Sequence, residues 1–183
     1  MKKKIISCLM SSAIACTMMG QGKYLANNGE ISFFSHTIIE DITADNEKVA
    51  GVIDAASGEV AIIVKMVEFQ FVKKLMQEHF NENYVESEKY PKGTFNGSIT
   101  NNEDVDYSTP GTYKVQVEGE LTIHGVKKAH SAEGSVEVTA AAIIARTKFL
   151  LNPEDFKIKI PKVVRKNIAD SMEITVTLKC DPI

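Results

Sequence analysis

The chain contains no tryptophan and only three cysteines in 183 residues. Two of the cysteines, Cys8 and Cys16, fall within the first 20 positions, which leaves Cys180 alone in the remainder. One cysteine makes no internal disulfide, and the absence of any CxxC or Cys/His cluster removes the zinc modules. Charge of one sign is also lacking. The 21 basic and 24 acidic residues are spread along the chain for a formal net charge of −3, and no basic stripe tracks a phosphate backbone, so nucleic acid is excluded as a partner. There is no GxSxG, no HExxH and no Gly-rich phosphate loop, which removes the common hydrolase and nucleotide-binding classes. The four histidines, His36, His79, His124 and His130, lie on separate stretches. No pair has the i,i+4 spacing of a helical metal site, although His124 and His130 can approach across a turn. Internal repeats, low-complexity tracts and interdomain linkers are absent, so a single domain is expected.

The N-terminus, MKKKIISCLMSSAIACTMMGQGKY, has three lysines, an apolar run from Ile5 to about Met19, and a polar exit. This is the pattern of a secretory signal. The run is too short and too rich in Ser and Cys for a membrane span of about 20 apolar residues. We read residues 1–20 as a signal cut near Gly20-Gln21, leaving a domain at 21–183 that is periplasmic or secreted and not transmembrane. The alternative is a cut before Cys16 that leaves a lipid anchor. Against it, Ala13 stands where lipoprotein signals have Leu.

Beyond the signal, apolar residues recur mostly at every second position, the mark of half-buried strands. Strands are expected at 29–36, 42–54, 59–67, 92–100, 111–123, 130–139, 141–151 and 172–180. Most are separated by turn residues such as Ser57-Gly58, Thr109-Pro110-Gly111 and Gly134. Eight antiparallel strands with short links indicate an all-β barrel or sandwich. In 111–123, Tyr113, Val115, Val117, Leu121 and Ile123 share one face, and Lys114, Gln116, Glu118, Glu120 and Thr122 the other. Gly119 interrupts the apolar face, where a missing side chain permits a bend or a close approach. Two stretches read as short capping helices: FVKKLMQEHFNENY (71–84), apolar at spacings of three and four, and PKVVRKNIADSM (161–172), opened by Pro161.

Candidate chemistry is sparse. His124 reads either as a polar group at a barrel mouth or as a strand-end histidine bonded to a backbone carbonyl, with Gly125 supplying a positive φ. The carboxylate pairs Glu40-Asp41, Glu86/Glu88 and Glu154-Asp155 read as solvated loops. Lys127-Lys128 with Lys162, Arg165 and Lys166 form either a small cationic rim for phosphate or a charged face. The phenylalanines, with Ile and Val on inferred inward faces, mark a barrel interior that is either filled or open to one slender apolar ligand.

GTYKVQVEGELTIHGVKKAH resembles the core signature of the YceI-like family of polyisoprenoid-binding proteins. The flanking stretches ISFFSHTIIEDITADNEKVAGVID, HFNENYVESEKYPKGTF, FLLNPEDFKI and VRKNIADSMEITVTL are similar to the family's other motifs in the same order, so the resemblance covers about residues 24–180. It implies an eight-stranded antiparallel lipocalin-like barrel with one or two short capping helices and a long apolar tunnel. It also implies noncatalytic binding, transport or storage of a polyisoprenoid or similar long-chain amphiphile, with that lipid as bound ligand in place of a cofactor and no metal. The implied tunnel wall is Phe33, Phe95, Tyr113, Val115, Val117, Leu121, Phe149, Ile174 and Val176, with His124 and Arg165 near the headgroup or mouth. The expected partner is a long-chain lipid, with a second copy of the chain as a further candidate. Lys157 departs from the family's Asp-Phe-Gly and Lys127 from its usual Thr, and the ITNNEDVDYSTPG hairpin is expected to alter the entrance. The alternative is a filled barrel acting as an interaction or stress-response module of the cell envelope. A third reading, a small enzyme acting on a lipid, requires titratable groups converging on the cavity.

Overall fold

The computed structural model describes residues 22–183. The signal stretch, with Cys8 and Cys16, lies outside the described residues. Alternating side chains become nine strands: β1 (Lys23–His36), β2 (Asp41–Asp54), β3 (Glu59–Lys65), β4 (Gln70–Phe71), β5 (Lys92–Ile99), β6 (Gly111–Ile123), β7 (Val126–Val138), β8 (Ile143–Leu151) and β9 (Met172–Pro182). Eight of them close a ring, β1-β2-β3-β5-β6-β7-β8-β9, in which β9 returns to pair with β1 and every pairing is antiparallel. The two-residue β4 is appended to β2 at Ala44 and Asp45. Closure leaves no long sheet edge exposed.

Strand directions sort the connections between two ends. One end carries the short links 55–58 and 139–142 and the longer 100–110 segment. The other carries the 37–40 and His124-Gly125 turns and two long connections, 66–91 and 152–171. The far end is packed solid by Val49, Ile53, Val136, Ile143, Leu178 and Cys180. At the other end Phe33 meets Phe69, Phe71 and Phe80 with ring centroids 5.6–5.8 Å apart. These tilted and edge-on aromatic contacts fasten the first long connection to the barrel.

The helix expected over 71–84 forms as α1 (Lys74–His79), prolonged by a wider turn over Phe80–Tyr84. The second expected helix does not form. Residues 161–170 make successive turns instead, with Val164 N–H donating to the Pro161 carbonyl and Asn167 N–H to the Val164 carbonyl. The reason lies in tertiary partners. Ala169 N–H donates to Ser35 Oγ at 2.9 Å, and the Asn167 side chain donates to Glu40. The first takes a backbone N–H away from a helical ladder, and the second anchors the segment to the 37–40 turn by a side chain.

Two further expectations are corrected. β7 begins at Val126 rather than 130, because the ladder with β6 continues to the Ile123–Val126 pair. Lys127 and Lys128 therefore sit on a strand, paired with Glu120 and Asp155. The 100–110 segment lies at the closed end and cannot shape the entrance. Its Tyr107 stacks on Tyr24 and donates to Asn102, whose amide donates to the Ala55 carbonyl.

Candidate functional site

Inward side chains of all eight ring strands surround a cavity of about 360 Å³, within the ~300–1,000 Å³ typical of small-molecule sites. Phe33, Phe95, Val115, Val117, Leu121, Phe149, Ile174 and Val176 all line it. Their placement follows from strand phase, since each faces the side its alternating neighbours predict. Tyr113 does not join the lining. It stands at the start of β6, and its hydroxyl donates to the Thr109 carbonyl at 2.9 Å.

The gap in the β6 side-chain row is taken up by an aromatic ring. Gly97 and Gly119 face each other across β5 and β6, and a Cβ on either would stand 2.7–2.8 Å from Phe95 Cζ. The ring lies over both glycines, so the wall stays smooth where two side chains are missing.

The interior is almost wholly apolar, and its polar groups are few. His130 lines the cavity with its ring 4.4 Å from the Phe149 ring, and its Nε2 is buried without a partner. Burial pushes its pKa below the usual histidine value, which favours the uncharged ring. Glu40 and Asn167 mark the mouth. Glu40 accepts from Lys73 Nζ at 2.6 Å and from Asn167 Nδ2 at 3.3 Å. Those bonds, Lys73's first, hold its carboxyl below the ordinary range. One carboxylate thus ties the 37–40 turn, the approach to α1 and the 161–168 segment together. In the sequence Glu40 reads as a solvated loop residue, because its partners lie 33 and 127 positions away.

His124 and Arg165 stand outside the lining. Arg165 is exposed and pairs with Glu154 and Asp170. His124 is the hub of a structural knot. Its Nδ1 donates to the Phe156 carbonyl at 3.1 Å, its Nε2 lies 2.7 Å from the Glu86 carboxylate, and its ring packs edge-on against Tyr90 at 4.5 Å. His124 and Gly125, at φ 51° and 71°, form the two-residue turn joining β6 to β7, with both central residues at positive φ as such hairpins prefer. Glu86 and Lys157 also hold positive φ, 46° and 59°. Lys157 therefore adopts, with a full side chain, the left-handed geometry that suits glycine.

Among the described residues no set of three His, Cys, Asp or Glu side chains is grouped to hold a metal, and no helix is long and apolar enough to cross a membrane.

Several solved structures share this fold. A polyisoprenoid binding domain from Saccharophagus degradans aligns at a TM-score of 0.76 and 15% identity, over 88% of this chain and 99% of that one. BcnA of Burkholderia cenocepacia aligns at 0.69 and 17%, over 82% and 95%. The Campylobacter jejuni YceI protein aligns at 0.62 and 16%, over 81% and 89%. No curated protein matches the sequence. The family model for the YceI-like domain matches residues 24–180, from the start of β1 to the end of the packed part of β9. With its barrel closed over an apolar cavity and its Tyr-Pro, His-Gly and Asp-Phe motifs tied in one knot, this chain belongs to the YceI-like family.

Proposed function

We propose that the protein binds a polyisoprenoid or similar long-chain amphiphile and carries or stores it without changing it, outside the cytoplasm. The observation that carries this reading is the apolar cavity, which runs from Glu40 and Asn167 at the mouth to Val136 and Leu178 near the closed end. Family membership and the likeness to a polyisoprenoid binding domain support it. The physical drive is the transfer of the tail from water, worth roughly 0.8 kcal/mol per buried CH₂. The polar end of the ligand rests at the mouth, where Asn167 offers donors and Glu40 acceptors. His130, set into the wall, has a buried Nε2 with no hydrogen-bond partner, and Glu40 is engaged by Lys73 and Asn167, an arrangement that favours binding over acid–base chemistry on the lipid.

The test is mass spectrometry of residues 22–183 purified from bacterial cells, first native and then after organic extraction. One isoprenoid or fatty amphiphile per protein is expected. Val117→Trp, which projects an indole into the tunnel, is expected to remain folded and carry none. An empty protein that also takes up no added isoprenoid quinone would end the carrier reading in favour of a ligand-free envelope module.

A further inference from the structure

Large apolar side chains stand in open solvent around the mouth. Ile38 is 101% exposed, Val72 94% and Val163 90%, and Ile39 and Leu75 are exposed beside them. Their positions are not scattered. Ile39, Val72, Leu75 and Val163 each immediately adjoin, in the chain, a residue that lines the cavity: Glu40, Phe71, Met76 and Val164. The three segments that carry them are bound together by Lys73 and Asn167 converging on Glu40, so the exposed side chains belong to one rim. A contiguous exposed apolar patch marks an interaction site.

The charges on the same segments indicate what it meets. Residues 37–40, 71–79 and 161–168 contain five cations, Lys73, Lys74, Lys162, Arg165 and Lys166, against two anions, Glu40 and Glu78, in a chain whose net charge is −3. Lys73 is paired with Glu40, and Arg165 with Glu154 and Asp170 just beyond these bounds, so the basic collar rests on Lys74, Lys162 and Lys166. Lys74, Lys162 and Lys166 are exposed. An apolar tip set within a basic collar is the composition of a surface that inserts shallowly into an anionic bilayer. A second copy of the chain fits poorly, because a two-fold contact would place this collar against itself.

We propose that the mouth rim docks on anionic membrane surfaces, with Ile38, Val72 and Val163 inserted among the lipids and the lysines against their headgroups. This rests on the carrier reading in one respect: docking lets an insoluble tail pass between bilayer and tunnel without crossing water.

The experiment is vesicle flotation with residues 22–183, which contain the whole closed barrel, and with variants of it. Vesicles of phosphatidylglycerol and phosphatidylethanolamine are compared with vesicles of phosphatidylcholine. The wild type is expected to float with the anionic vesicles and to bind neutral ones about tenfold more weakly. Ile38→Ser/Val72→Ser/Val163→Ser is expected to bind anionic vesicles at least about tenfold more weakly with an unchanged melting temperature, since none of the three is buried. Lys74→Glu/Lys162→Glu/Lys166→Glu is expected to erase the preference for anionic lipid. The inference is overturned if the wild type floats with neither vesicle, or if the serine variant floats as well as the wild type. It is equally overturned if the purified protein is a dimer that the serine substitutions dissociate, which would make the rim a contact between copies. Val117→Trp separates the two ideas. A protein that floats with its tunnel blocked upholds docking whatever the tunnel holds, whereas one that retains lipid and never floats defeats docking alone.

Discussion

His130 is the residue at which the apolar wall departs from its own pattern. Its pKa is lowered by burial, so the unfolded chain, with histidine near 6.5, takes up a proton first. The folded state therefore keeps its full stability above about pH 6.5 and loses some as the pH falls below that value. Melting temperatures from about pH 7.5 down to about pH 5.5 should fall more steeply for the wild type than for His130→Phe, and parallel curves would show that the imidazole is not buried as described. Lys157 offers a second test. A lysine at φ 59° occupies backbone space that glycine enters without strain, so Lys157→Gly is expected to stabilise the protein by about 0.5–1 kcal/mol, read as a rise of a few degrees in Tm. Cys180 is fully buried, and burial, with a smaller effect of Asp181, pushes its thiol up to about 11. It should react with a thiol reagent only after denaturation. The inward placement of Val117 or Ile174 is readable from alternation alone. The lone nitrogen of His130 and the ties to Glu40 are not, because they arise from side chains brought together across the ring.

At the scale of elements, the β6–β7 hairpin and the 161–171 segment behaved differently. The hairpin is dictated locally: alternating residues run up to His124-Gly125, and two positive φ values reverse the chain. A Cβ on Gly125 would lie 2.6 Å from Tyr90 Cε1 at a φ of 71°, so Gly125→Ala should cost about 1–3 kcal/mol in urea unfolding. An unchanged urea midpoint would remove the turn from the parts that hold the mouth. The start of β7 was hidden because Lys127, Lys128 and Ala129 break the alternation, and only the ladder from β6 makes them a strand. Residues 161–172 carry helical spacing, yet Ser35 and Glu40 bind their backbone and side chains from across the barrel end. With so few turns available, local propensity contributes little, and the tertiary bonds prevail.

For the whole molecule, the consequence of a preformed apolar tunnel is a stability that depends on its contents. If the tunnel holds a lipid, solvent-stripped protein should melt below the protein as isolated, and adding back ligand at a hundredfold excess over Kd should restore about 2.7 kcal/mol. Val117→Trp should show no such recovery; identical melting of stripped and reloaded wild type would argue that nothing binds inside. Period-two alternation and turn residues are local properties that each segment states for itself, so eight of the nine strands, the all-β class and the apolar phase of the wall were legible in the sequence. Alternation left barrel and sandwich both open, and only the family resemblance implied the barrel. Tertiary packing settles how Phe95 covers the paired glycines and that Glu40, Lys73 and Asn167 meet at one rim. Those features depend on ring closure, which sets side by side residues as far apart in the chain as Glu40 and Asn167, and no window of sequence contains both.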